Sequence, residues 1–168
     1  GDEYSKNKRY DLAIQSYTLA IKLDYWIRNR EDQTLAYVGR AKAYSQTGAY
    51  EKAIADFEEA AAVSSNEVYN SLGAEYYVPL AVTYFKMGKY DSARSCFLEA
   101  ESYYGILDNM DAEAYLARGI TNYYYSMNHE ELRFEYIDDD FRKVIALAPG
   151  SSLAVEAEQY RQKLRQNR

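Results

Sequence analysis

Residues 37–60 read YVGRAKAYSQTGAYEKAIADFEEA, and residues 77–100 read YVPLAVTYFKMGKYDSARSCFLEA. Laid side by side, the two stretches share Tyr37/Tyr77, Ala41/Ala81, Tyr44/Tyr84, Gly48/Gly88, Tyr50/Tyr90, Ala53/Ala93, Phe57/Phe97 and Ala60/Ala100. An earlier copy of the second half supplies Tyr10, Ala13, Tyr17 and Ala20. Tyr10, Tyr50 and Tyr90 thus stand 40 residues apart. The shared positions in each second half follow i, i+3, i+7 and i+10, which is one face of an α-helix. Alanines on that face let a neighbouring helix approach closely.

The first half of each copy predicts another helix, marked by Tyr37, Ala41 and Tyr44, then by Tyr77, Ala81 and Tyr84, with Tyr4 as a remnant near the start. Gly48 and Gly88 supply the turns between paired helices, because glycine reaches the left-handed backbone that ends a helix. Asp11, Glu51 and Asp91 fall in the first turn of each second helix, where negative charge complements the helix dipole. Each copy therefore reads as a helical hairpin with large and small residues alternating on both helices. Repeats of this kind are read before any other signal, since each unit buries its apolar face only by stacking on its neighbours.

The code resembles the tetratricopeptide repeat. The slot that usually holds Leu in that family is Leu80 in one copy but Arg40 and Arg118 in two others. The resemblance implies an all-α, right-handed α-α superhelix built from residues 1–168 as one domain. The units are expected at about 1–26 (truncated), 35–66, 75–106 and 112–150, followed by a capping helix over 151–166. The period departs from the family's roughly 34 residues. The extra residues must lengthen helices, at about 1.5 Å each, or lengthen connections. The last unit is irregular between Ser126 and Tyr136. Pro149-Gly150 is a stop signal, and Ser151 or Ser152 is placed to cap a final helix carrying Leu153, Ala157, Tyr160 and Leu164 on one stripe.

Composition narrows the function classes. Hydrophobic residues make up 48% and charged residues 27%, which suits a packed domain rather than a disordered chain. The net charge of −6 disfavours nucleic acid and anionic membrane surfaces as partners. No apolar run has the length of a membrane span, and no signal peptide is apparent. The compartment stays open, cytoplasmic or exported with the signal removed, because a lone Cys96 fits either. Catalytic chemistry finds little to work with. Cys96 and His129 are the only residues of their kinds, read as a small helix residue and a solvated loop residue. Asp138-Asp139-Asp140 lacks the alternation of a calcium loop and reads as a solvated helix face beside Arg142 and Lys143. No phosphate-binding loop, metal-ligand set or cofactor motif is evident, so no enzyme, metal or cofactor is expected.

In the family that the chain resembles, the first helix of each unit lines a concave surface. Offsetting from the core slots places Val38 and Lys42 there, with Ser45 and Gln46, then Val78, Val82, Phe85 and Lys86, then Leu116, Ile120, Tyr123 and Tyr124. The face begins polar, with Asp2, Ser5 and Lys6, and ends apolar and aromatic. Three covers fit the apolar end: the insertion over 126–136, a partner peptide or protein, or a second copy of the chain. The Lys/Asn/Arg clamp with which some family members hold a terminal carboxylate is not matched, since its asparagines are missing. Trp26 reads as a plug between the first two units.

The function expected is a non-enzymatic scaffold, of a bacterial housekeeping or assembly type, that binds a protein or peptide in the groove. The alternatives are a self-assembling module and a binder of small hydrophobic ligands. The repeat code itself is testable. Ala53→Leu and Ala93→Leu overpack neighbouring helices and are expected to cost about 1–3 kcal/mol each. Unchanged denaturation midpoints in both variants contradict the hairpin reading.

Overall fold

The computed structural model describes residues 9–27, 30–64, 66–104, 110–127, 129 and 134–166, and the side chains of 24–27, 66–72, 74 and 103–104 are outside the description. Every regular element among the described residues is an α-helix. In chain order these are α1 (Tyr10–Ile27), α2 (Arg30–Gln46), α3 (Tyr50–Val63) and α4 (Asn66–Lys86). They are followed by α5 (Tyr90–Tyr104), α6 (Ala112–Ser126), α7 (Phe134–Leu147) and α8 (Ser152–Gln166). Tyr4, Asp2, Ser5 and Lys6, the side chain of Trp26, and Leu132 within the insertion lie outside the described residues.

The turns form as the glycines predict. Gly48 and Gly88 take φ of 79° and 72°. The chain then folds back so that the Ala49 N–H donates to the Tyr44 carbonyl at 2.9 Å and the Lys89 N–H to the Tyr84 carbonyl at 3.0 Å. These bonds satisfy carbonyls that a helix end leaves open. Asp111 caps α6 by accepting the Ala114 N–H at 2.9 Å. Ser151 caps α8 by accepting the Ala154 N–H at 3.2 Å. In the second and third copies the extra residues lie in helix ahead of the repeat code. α2 begins at Arg30, well ahead of Tyr37, and α4 begins at Asn66, with its helical geometry broken at Gly73.

The helices fall into two compact units, Gly1–Tyr76 and Tyr77–Arg168. In the first, α2 packs between α1 and α3. Ala13, Tyr17, Ala36 and Ala43 form a buried cluster, with Tyr10, Ile14, Ala20 and Ile21 against it. Close approach is severe at Gly39. A Cβ there would lie 2.4 Å from Cζ of Tyr17, so the ring occupies the space that any larger residue needs. Tyr76 closes the other side. Its ring meets Phe57 edge-on at 5.5 Å, and its hydroxyl donates to the Phe57 carbonyl at 3.0 Å.

In the second unit, α6 packs on α5, α7 and α8, and α7 packs on α8. Gly119 stands at the small slot of its repeat, and a Cβ there would lie 2.8 Å from Cε1 of Phe141. α8 buries Ala154, Ala157 and Leu164. The capping helix expected over 151–166 is thus observed.

The acidic run over 138–140 is not the solvated face expected of it. Asp138 and Asp140 are buried and only Asp139 is exposed. Arg142 pairs with Asp138 at 2.7 Å and Lys143 with Asp139 at 3.6 Å, as the local reading expects, but each buried acid is also held by an arginine more than 20 residues away. Arg161 bonds Asp138 at 2.7 Å. That hydrogen bond holds the Asp138 carboxyl below the usual carboxylate range despite its burial. Arg118 grips Asp140 with two bonds, at 2.6 and 3.0 Å. The partners are pulled in different ways. Burial lifts the Asp140 carboxyl, whereas for Arg118 burial is overcome by the bonds to Asp140. We take the pair as ionised, because guanidinium keeps its proton at any pH the fold survives.

The same pair occurs at the same slots of another copy. Arg40 donates from Nε and from one terminal nitrogen to Asp56, both at 2.7 Å. Asp56 stands one residue before Phe57, as Asp140 stands one before Phe141. Each arginine also reaches the second helix of the preceding copy, Arg40 to Thr18 and Arg118 to Glu101. Where the first slot is Leu80, the second is Cys96, and both are buried. The copies exchange the two positions together: an ion pair or two apolar groups, never a lone charge.

That exchange predicts a mutant cycle. Arg40→Leu strands the Asp56 carboxylate, whose side chain is 8% exposed, and is expected to cost about 3–5 kcal/mol. Arg40→Leu combined with Asp56→Cys is expected to recover most of that loss in denaturant unfolding. A double variant no more stable than the single one contradicts the account.

Candidate functional site

The helix ends of the second unit leave a cleft of about 850 Å³. This lies within the roughly 300–1,000 Å³ typical of ligand sites. Gly88 and Lys89 of the α4–α5 turn form one side, continued by Tyr90, Asp91 and Ser92 at the start of α5. The end of α6 supplies Thr121, Tyr123, Tyr124 and Tyr125, with Met127 and His129 beyond it, and α8 supplies Lys163. The residues converge because three helix termini meet there, each carrying a tyrosine or lysine where its core stripe runs out.

The aromatic groups are ordered by contact with one another. Tyr90 and Tyr124 stack at 4.8 Å and 16°. Tyr160 of α8 meets Tyr123 edge-on at 5.4 Å, and its hydroxyl lies 3.2 Å from that of Tyr124. Burial, the bond with Tyr124 and nearby Glu156 hold the Tyr160 hydroxyl well above its ordinary range. Burial also raises Tyr90, helped by Tyr124 and Glu156. Both phenols therefore stay protonated near neutral pH. On the far side, Tyr125 is sandwiched between the Arg94 guanidinium at 3.7 Å and the His129 ring at 3.9 Å and 5°. His129 is exposed, as expected of a loop residue, but its ring is fixed by this stack and by a 3.1 Å contact with the Tyr125 carbonyl.

One polar group in the cleft wall is left over. The Thr121 side chain is 1% exposed and its hydroxyl has no hydrogen-bond partner. Thr18, Thr34 and Thr83 also lie within helices, and each donates to the carbonyl four residues before it. Thr121 does not, and a buried hydroxyl without a partner costs stability.

Residues assigned to the groove from sequence take several positions. Val38, Val82, Leu116, Ile120 and Tyr123 are buried, and Val78 and Phe85 are half-buried. Lys86 is held by Glu113 at 2.9 Å. Lys42 and Tyr124 are exposed. Only Tyr123 and Tyr124 of this set line the cleft. Within the second unit α8 packs on α6 as well as on α7. Met127 and Tyr136 of the expected insertion are exposed rather than folded inward. Lys89, Tyr90, Thr121, Tyr125 and Lys163 were not assigned to a binding face from sequence. The Tyr123-Tyr124-Tyr125 run was the available signal, but helix periodicity divides such a run between faces.

Comparison with known proteins bears on the family. Residues 32–105 match a tetratricopeptide repeat profile, and residues 1–25 match a second profile of the same description. The chain belongs to the tetratricopeptide repeat family. No match was found among curated proteins. The crystal structure of MamA is similar over 99% of this chain and 92% of that one, with a TM-score of 0.57 and 20% identity, a likeness of fold. Tetratricopeptide repeats bind protein partners and are typically non-catalytic scaffolds, and this repeat protein is an interaction scaffold in that general sense. The thiol of Cys96 is pushed up to about 11, chiefly by burial, which leaves it neutral and poorly nucleophilic near neutral pH. No helix among the described residues is long and apolar enough to cross a membrane.

Proposed function

We propose that the chain holds a short segment of a partner protein in the cleft of the 77–168 unit. The observation that carries this reading is the combination of exposed aromatic surface and an unused hydrogen-bonding group in one concavity. Tyr124 is 39% exposed although it stacks on Tyr90, and the Thr121 hydroxyl nearby lacks a partner. Tyrosines supply large contact area at small entropic cost, since only two torsions are ordered on binding. Phe85 lies 6.0 Å from Tyr90 and extends the aromatic surface. Buried Leu116, Ile120 and Tyr123 hold α6 in place beneath it, so the surface is preorganised. The partner-facing side inferred from the repeat pattern is thereby narrowed to its accessible aromatic end.

Selection of random peptides on the intact chain tests the proposal. The binders are expected to shift backbone amide resonances of 88–92 and 121–129. They should weaken by about tenfold or more against Tyr124→Ala, as at an interface hot spot. That variant also loses the stack on Tyr90 and the bond to Tyr160, so it is compared with the parent at a temperature where both are fully folded by circular dichroism. Binders that shift residues 30–63 instead and tolerate Tyr124→Ala would overturn the assignment.

A further inference from the structure

We infer that the segment held in this cleft is acidic, with carboxylates meeting Lys89 and Lys163 and an aromatic side chain lying on the tyrosines. The inference rests on the cleft being the docking site and adds the chemistry of its occupant. It starts from an imbalance of charge. The whole chain carries −6, yet Lys89 and Lys163 both line the cleft, against Asp91 alone among its acids. Neither lysine forms an ion pair among the described residues, although Lys86 and Lys143 pair with Glu113 and Asp139. Lys163 instead sits 4.3 Å from the centre of the Tyr160 ring. The Arg94 guanidinium behind Tyr125 adds a third positive charge close to the wall. The acids nearby are Asp91 in the lining and Glu156, whose charge is felt by Tyr90 and Tyr160.

Hydrogen-bonding capacity points the same way. An ammonium group donates three hydrogen bonds and accepts none, and hydroxyls donate as readily as they accept. The cleft presents two ammonium groups and the Ser92 hydroxyl, with one carboxylate, and the Thr121 hydroxyl lies buried in its wall. A ligand that satisfies such a surface must be rich in acceptors. An extended peptide offers carbonyls along its length, and glutamate or aspartate side chains add charged acceptors. The tyrosine faces and Met127 meanwhile suit a ring rather than a charge. A segment that opens the wall at Thr121 gives its buried hydroxyl the partner that it lacks in the free chain. Recognition of an internal acidic stretch needs no free chain end, which separates it from capture of a terminal carboxylate.

The test uses two peptides blocked at both ends, one with glutamates and one with glutamines on either side of a central phenylalanine. Each is titrated calorimetrically into the intact chain. The glutamate peptide should bind saturably and about tenfold or more tightly than the glutamine peptide, with a preference that shrinks as salt is raised. Lys89→Glu and Lys163→Glu should each remove most of the preference. Thr121→Val, which replaces a buried hydroxyl by a methyl of the same shape, should weaken the glutamate peptide without lowering the melting temperature. Equal binding of the two peptides, both lost on Tyr124→Ala, would overturn the acidic inference while leaving the docking site in place. No saturable binding of the glutamate peptide would overturn the inference as well. The site itself falls only if the selected random peptides also miss the cleft.

Discussion

The fold depends on how closely its helices can approach. Ala13, Ala53 and Ala93 are fully buried at one slot, Ala60 and Ala100 at another, and Ala41 and Ala81 at a third. Gly39 and Gly119 carry the constraint further, because a methyl at either would displace the ring of another helix, Tyr17 or Phe141. Small residues bring the backbones together, and the large residues between them then interlock. Interiors packed to this density tolerate neither added bulk nor a void. The period of the small residues thus sets where each helix meets the next, and every other contact is built on that spacing.

Charge enters this frame only in compensated form. Arg40–Asp56 and Arg118–Asp140 tie second helices to the first helix of their own copy, and each arginine reaches the preceding copy as well. A buried pair of this kind adds little net stability over apolar residues of similar volume, but losing one partner is costly. The third copy, with Leu80 and Cys96 at the same slots, carries the apolar alternative within the same chain. This makes the two positions one unit of variation, which explains why the Leu slot of the repeat accepts arginine in two copies.

The parts of the fold legible in the sequence were those with a local cause. Helix pairs followed from the recurring Tyr, Ala and Phe slots, turns from Gly48 and Gly88, and the last helix from Pro149-Gly150 and the Ser151 cap. What could not be read locally was set by partners far along the chain. Asp138 and Asp140 look like a solvated run until Arg161 and Arg118 are placed beside them. Ile120 and Leu116 fall on a face that periodicity leaves open, and the structure buries them. The cleft was half legible. Tyr123 and Tyr124 fall on the partner-facing side in the repeat pattern, but Lys89 of the α4–α5 turn and Lys163 of α8 come from other parts of the chain. No spacing rule joins residues whose only relation is that three helix ends meet.

The account thus holds that α6 turns one side into the core and offers the other at a tyrosine-lined opening. Hydroxyl-radical footprinting of the free chain, read residue by residue by mass spectrometry, tests this most directly. Tyr115, 1% exposed, and Tyr124, 39% exposed, lie on the same helix. The account predicts rapid oxidation of Tyr124 and strong protection of Tyr115. Comparable rates at the two rings, or protection of Tyr124, would contradict it.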